Sequence, residues 1–149
     1  MSLSLALAAA SVGCAWTVNI ALYRLWTRVP TEAFDSYHQA HEARFVPIAV
    51  LLGIPNAIVA VIAARRAAPP LPRWPLRVAA ALALVPWLVT PAYFVPLQGR
   101  IRDAGPTDAL ATQLVDSDLL LRAVPVTIQL GIVLWASFNL RRQPKPDRL

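Results

Sequence analysis

The sequence predicts an all-α integral membrane protein, a four-helix bundle with an extended second helix. Three observations carry that expectation. Hydrophobic residues make up 57% of the 149 residues and Asp, Glu, Lys and Arg only 15%, whereas a soluble domain carries about 25% charged residues. The charges fall in clusters between long apolar runs. Four of those runs, near 3–25, 45–64, 76–97 and 119–140, are long enough to cross a membrane, because hydrocarbon about 30 Å thick needs roughly 20 apolar residues in a helix. Backbone groups in hydrocarbon must be satisfied within the segment, so the runs read as helices. They are too long for barrel strands of about 9–11 residues. The chain reads as one transmembrane domain over 1–149, with no room for a second one.

The first run could be mistaken for a signal peptide. No Lys or Arg precedes it, and apolar character persists to about Trp26, longer than the usual h-region. It reads as a retained helix, with cleavage near Ala8-Ala9-Ala10 as the alternative. Cys14, the only cysteine, lies in this run as a small buried hydrophobe and has no partner for an intramolecular disulfide. Asn19 in the first span and Asn56 in the second are expected as interhelical ties.

The second helix should begin before the membrane. Thr31 is a plausible N-cap after Pro30, and Glu32 suits the first turn. Residues 31–44 contain no Gly or Pro, and Phe34, Tyr37, His38, His41 and Phe45 recur at helical steps. The helix then runs to about Ala64, and Pro47 and Pro55 are expected to bend it. Prolines at Pro86, Pro91, Pro96 and Pro125 also fall in the later spans; they are either tolerated because neighbours satisfy the freed carbonyls or mark unwound turns that face a ligand. The stretch Pro69-Pro70-Leu71-Pro72 reads as a stiff connector, and the tail after Asn139 as short and frayed.

Charge sets the orientation. Arg65, Arg66, Arg73 and Arg77 lie between the second and third spans without an acid, and the tail carries Arg141, Arg142, Lys145 and Arg148 against Asp147. The other two loops mix Arg24, Arg28, Arg44, Arg100 and Arg102 with acids. The positive-inside rule therefore puts both termini in the cytoplasm. The net charge of +6 forms no face suited to nucleic acid, and the lipid bilayer is the expected partner.

Antiparallel helices would bring the residues with chemical potential to one depth on the outer side. His38, His41 and Arg122 are the candidate catalytic residues. Arg24, Tyr37, Glu42, Arg44, Tyr93 and Arg100 are the candidate ligand-binding residues. Histidine moves protons near neutral pH, the tyrosines could orient a bound group, and Arg24 or Arg122 could stabilise an enolate or phenolate oxygen. Three uses of this layer stay open. It can be an ion network that packs helix ends, a pocket for an organic ligand between spans two, three and four, or a metal or haem site. The His38–His41 spacing offers two ligands without a clear third, so no metal site is assigned. The sequence requires no cofactor.

The same segments resemble small bacterial four-helix membrane proteins of the anthrone-oxygenase-like family, whose members are mostly of unknown function. The resemblance lies in Phe34-Asp35-Ser36-Tyr37-His38-Gln39-Ala40-His41-Glu42-Ala43-Arg44, then Trp87-Leu88-Val89-Thr90, Val95-Pro96-Leu97-Gln98-Gly99-Arg100 and Leu119-Leu120-Leu121-Arg122. It spans about residues 14–136. The chain departs from the pattern at Gln98, where relatives often carry histidine, and around Asp118-Leu119, where they often carry Asn-Trp. The resemblance implies a bacterial inner (plasma) membrane location and a shared polar layer including His38, His41, Arg100 and Arg122. It also implies a small-molecule-binding or cofactor-free oxygenase-like role, in which a base generates a carbanion that meets oxygen directly. The alternative is a structural or accessory subunit that packs against a larger membrane complex or forms a homo-oligomer.

Overall fold

A computed structural model describes residues 2–67 and 72–141 of the chain. The Pro69–Pro72 connector, apart from Pro72 itself, and the basic tail beyond Arg141 lie outside the described residues. Four helices are each long and apolar enough to cross a membrane: α1 (Ser2–Arg28), α2 (Thr31–Arg66), α3 (Arg73–Ala104) and α4 (Asp108–Leu140). Each packs against its sequence neighbours, and α1 closes the ring against α4. Large apolar side chains such as Leu51, Leu88, Leu120 and Phe138 face outward, as a lipid environment favours.

Both short connections lie at one end of the bundle, here called the polar end. The first is only Val29-Pro30. Pro30, not Thr31, occupies the cap position of α2, and no side chain caps that helix start. Glu32 stands in its first turn and Arg65 and Arg66 in its last, both favourable to the helix dipole. At 36 residues, α2 is the extended helix that the sequence predicts, and it stays α-helical through Pro47 and Pro55.

The second connection is tighter than the sequence suggests. Stretches expected as loop are helical: α3 continues to Ala104 and α4 starts at Asp108. Gly105 ends α3 at φ +81°, where a Cβ would lie 2.8 Å from Thr31 Cγ2, so glycine is required both by backbone and by space. Thr107 then caps α4, its hydroxyl accepting from the Leu110 N–H at 3.4 Å.

Three of the four helices contain a widened π turn: Val18–Leu22 in α1, Thr90–Phe94 in α3 and Leu119–Ala123 in α4. Each closes with an i→i+5 bond, from Tyr23, Val95 and Val124 N–H to the carbonyls of Val18, Thr90 and Leu119. Pro91 lies inside the α3 turn and Pro125 just past that of α4, and neither has an N–H for the regular ladder. The prolines therefore widen α3 instead of unwinding it. Such turns often mark functional sites, and all three lie in the polar half.

The core divides accordingly. In the polar half, Tyr23, Trp26, Phe34, Phe94, Leu97, Ile101 and Leu114 form one buried cluster. In the opposite, alanine half, Ala57, Ala60, Ala64, Ala80, Ala83 and Ala136 pack around Leu76, small residues that let helix backbones approach closely. Between the halves, the buried amides of Asn56 and Gln129 donate to each other across the bundle, both at 3.0 Å.

Candidate functional site

The widened turns carry Asn19, Thr90 and Arg122, which meet Tyr23, Gln98 and Asp118 in one polar unit. Tyr23 is almost fully buried, and its hydroxyl accepts from Arg122 Nη1 at 3.1 Å and from Gln98 Nε2 at 3.2 Å. Arg122 also donates from Nη1 to Asp118 Oδ1 at 3.3 Å and from Nη2 to the Thr90 hydroxyl at 3.0 Å. The Phe94 ring covers the guanidinium face at 3.6 Å, a cation–π contact. Asn19 Nδ2 donates to Asp118 Oδ2 at 3.1 Å and to the Val115 carbonyl at 2.8 Å. The Thr90 hydroxyl in turn donates a hydrogen bond to the Pro86 carbonyl. The unit holds a buried carboxylate against a partly buried guanidinium, which answers the cost of charge at membrane depth.

This unit forms one wall of a cavity of about 260 Å³ lined by all four helices. On the α2 side the lining runs from His41 and Glu42 down to Asn56, roughly 20 Å along a helix. Val18, Phe45, Ala49 and Val126 supply apolar walls, and Gly53 and Trp87 meet on the α2–α3 side. A Cβ at Gly53 would lie 2.6 Å from Trp87 Cζ2, so the missing side chain is what lets the indole pack against α2. Helices α2 and α3 pack closely in the alanine half and separate toward Val95 and Gln98, which opens the cavity between them.

Three of the sequence candidates meet here: His41, Glu42 and Arg122 all line the cavity. His41 is half-buried, stacks on Phe45 at 5.3 Å between ring centroids and sits 6.5 Å from the Tyr23 ring. His38 is elsewhere. It is buried in the aromatic cluster, 5.3 Å from the Trp26 ring and 5.9 Å from Phe34. Neither of its nitrogens has a hydrogen-bond partner among the described residues, nor does Trp26 Nε1; Glu42 Oε2 stands 3.7 Å from His38 Nδ1.

The remaining candidates lie off the cavity. Arg24, Arg44 and Arg100 are exposed and form no ion pair among the described residues. Tyr37 packs against the aromatic cluster, and the Tyr93 hydroxyl accepts from Gln113 at 3.1 Å on an exposed face. Of the charged residues at these helix ends, Asp118 and Arg122 pair with each other, and Glu42 faces His38. The pocket expected between spans two, three and four also takes a wall from α1.

Sequence reasoning missed Tyr23 as the hub and Thr90 as a partner of Arg122. A usable signal existed: a Thr-Pro step in mid-span marks a backbone irregularity, and a span-embedded Arg needs acceptors at its own depth. Among the described residues, no group of three or more His, Cys, Asp or Glu is placed to hold a metal ion. Compared with family models, curated proteins and solved structures, the chain matches none.

Proposed function

We propose that this chain is a multi-pass protein of a bacterial plasma membrane that binds an apolar small molecule with a polar head in the polar-half cavity. The observation that carries the reading is the coincidence of that cavity with the Tyr23–Arg122–Asp118 unit. A concave site of about 260 Å³, mostly apolar and with a few convergent polar groups, is the kind of site that small molecules occupy. His41 and Glu42 at the cavity wall supply groups able to accept a proton from it. The resemblance to the anthrone-oxygenase-like family extends the reading to cofactor-free oxygen chemistry, with His41 as the base.

The polar end faces outward and both termini are cytoplasmic in this reading. Its support is charge: Arg65, Arg66, Arg73 and Arg77 flank the alanine end, while Glu32, Asp35, Asp103, Asp108 and Asp116 sit at the polar end. Arg73→Cys should be labelled by a membrane-impermeant thiol reagent only after lysis and Asp108→Cys in intact cells, both in a Cys14→Ala background; the reverse pattern inverts the topology.

Binding is tested by thermal unfolding of the protein in lipid nanodiscs with 2-acetylnaphthalene as probe. The wild type should gain stability, about 2.7 kcal/mol at a hundredfold excess over Kd, and Ala49→Phe, which fills the cavity, should gain none. A wild type that does not respond, together with a stable oligomer in the nanodisc, would favour the accessory-subunit role instead.

A further inference from the structure

Counted atom by atom, the oxygens of Asp118, Thr90 and Tyr23 on the cavity wall all accept, while Asn19 Oδ1, on a side chain outside the cavity lining, is buried without a partner among the described residues. Both Asp118 oxygens accept, from Arg122 and Asn19. The Thr90 and Tyr23 oxygens accept as well, from Arg122 and, for Tyr23, also from Gln98. The Tyr23 proton goes to no acceptor among the described residues, and Arg122 Nε–H has none either. A hydroxyl oxygen that accepts from a guanidinium has its O–H bond polarised and donates more strongly in turn. What the Tyr23 O–H lacks is an acceptor.

Charge narrows the acceptor further. Arg122 is already balanced by Asp118 at 3.3 Å, so an anion beside them would add an uncompensated charge at membrane depth. A neutral carbonyl would not. Size narrows the body: an apolar cavity of about 150 Å³ accommodates benzene, so about 260 Å³ suits roughly two fused rings or a branched chain of similar bulk. The route in is apolar too. Val46, Val50 and Val95 line the cavity and yet remain 50%, 39% and 58% exposed on the lipid-facing surface.

Resting on the ligand-binding reading above, we infer that the occupant is a neutral amphiphile whose carbonyl oxygen accepts from Tyr23 Oη–H, and that it enters from the bilayer between α2 and α3. Its apolar body points toward Gly53 and Trp87. Tyr23 is then a binding residue, and Arg122 positions and polarises it.

Three matched probes test this on the whole chain in nanodiscs: 2-acetylnaphthalene, 2-ethylnaphthalene and 2-naphthoate. The ketone should bind roughly five- to tenfold tighter than the hydrocarbon, as one hydrogen bond allows, and the anion most weakly. Tyr23→Phe should lower ketone affinity to that of the hydrocarbon and leave the hydrocarbon unchanged. Because that variant strips Arg122 and Gln98 of an acceptor and can misfold, the wild type gives a second measure. The infrared carbonyl stretch of bound ¹³C-carbonyl 2-acetylnaphthalene should fall below its value in protein-free nanodiscs. Equal affinity of ketone and hydrocarbon with an unshifted stretch would overturn the inference while leaving the ligand-binding reading standing. Tightest binding of 2-naphthoate would also overturn it, making the site an anion site. No binding of any probe would overturn both. For the route, Val46→Trp should slow uptake of membrane-dissolved ketone at least tenfold; an unchanged rate would exclude the gap between α2 and α3.

Discussion

The two halves of this bundle are built from the same four helices and solve opposite packing problems. In the alanine half, Ala57, Ala60, Ala64, Ala80, Ala83 and Ala136 bring regular helices into close contact. In the polar half, three π turns and a 3₁₀ end on α1 push the helices apart, and aromatic rings with buried polar groups fill part of the gap. A helix cannot be held apart along its whole length without losing the bundle. Close contact at one end, locked by the Asn56–Gln129 amides, is what allows a cavity at the other. Close backbone packing should therefore dominate in one half, and a paired polar unit with ligand recognition in the other.

The largest effect is expected at the polar half's ion pair, where a buried Asp118 meets a partly buried Arg122. Asp118→Ala leaves the Arg122 guanidinium uncompensated and should cost about 3–5 kcal/mol in denaturant unfolding, whereas Asp118→Leu with Arg122→Met should recover most of that loss without recovering probe binding. Equal destabilisation by the single and double variants would break the view that the pair acts as one unit. The next test makes the same change in both halves. Ala136→Leu, at a fully buried site, should overpack the alanine half and cost about 1–3 kcal/mol with probe binding intact. Ala49→Leu should instead be neutral or stabilising by about 0.5–2 kcal/mol, as cavity filling is, with weakened binding.

Smaller effects sharpen the boundary. Gln129→Leu leaves the Asn56 amide without its partner and should cost about 0.6 kcal/mol, with a ceiling near 1.7. His38→Phe should change stability by less than about 0.5 kcal/mol or improve it, because neither imidazole nitrogen has a hydrogen-bond partner among the described residues and the exposed Glu42 carboxylate stands only within 3.7 Å. A loss of about 2 kcal/mol or more there would show that His38 carries an interaction that its aromatic surroundings do not explain. His41→Gln should leave stability within about 0.5 kcal/mol while lowering probe affinity or turnover.

The span pattern was legible because membrane hydrocarbon imposes a length and a polarity on every crossing segment. The extended α2 was legible because residues 31–44 carry helical periodicity without a breaker. The helical overhangs of α3 and α4 were not, since polar residues such as Arg100, Arg102 and Gln113 read equally well as loop. The Gly105-Pro106-Thr107 turn was their only local sign. At the site, residue types signalled a polar layer, but depth alone could not rank its members. Arg24 and Arg44 differ from Arg122 in the face they occupy, and faces depend on π turns that shift the helical phase by one residue. His38 and His41 share the side of α2 that faces the polar-half interior and both approach the Trp26 ring, at 5.3 and 5.7 Å, yet only His41 lines the cavity. That split depends on where the 3₁₀ end of α1 places Trp26, which no spacing rule on α2 contains.

The central claim is that the polar half, and not the alanine half, holds an organic ligand. Intermolecular NOEs between 2-acetylnaphthalene and methyl-labelled protein in nanodiscs test it most directly. The account predicts cross-peaks to the methyls of Ala49 and Val126, with none to Ala136 or Ala80. Cross-peaks confined to lipid-facing methyls such as Leu51 and Leu120, or reaching Ala136, would contradict it.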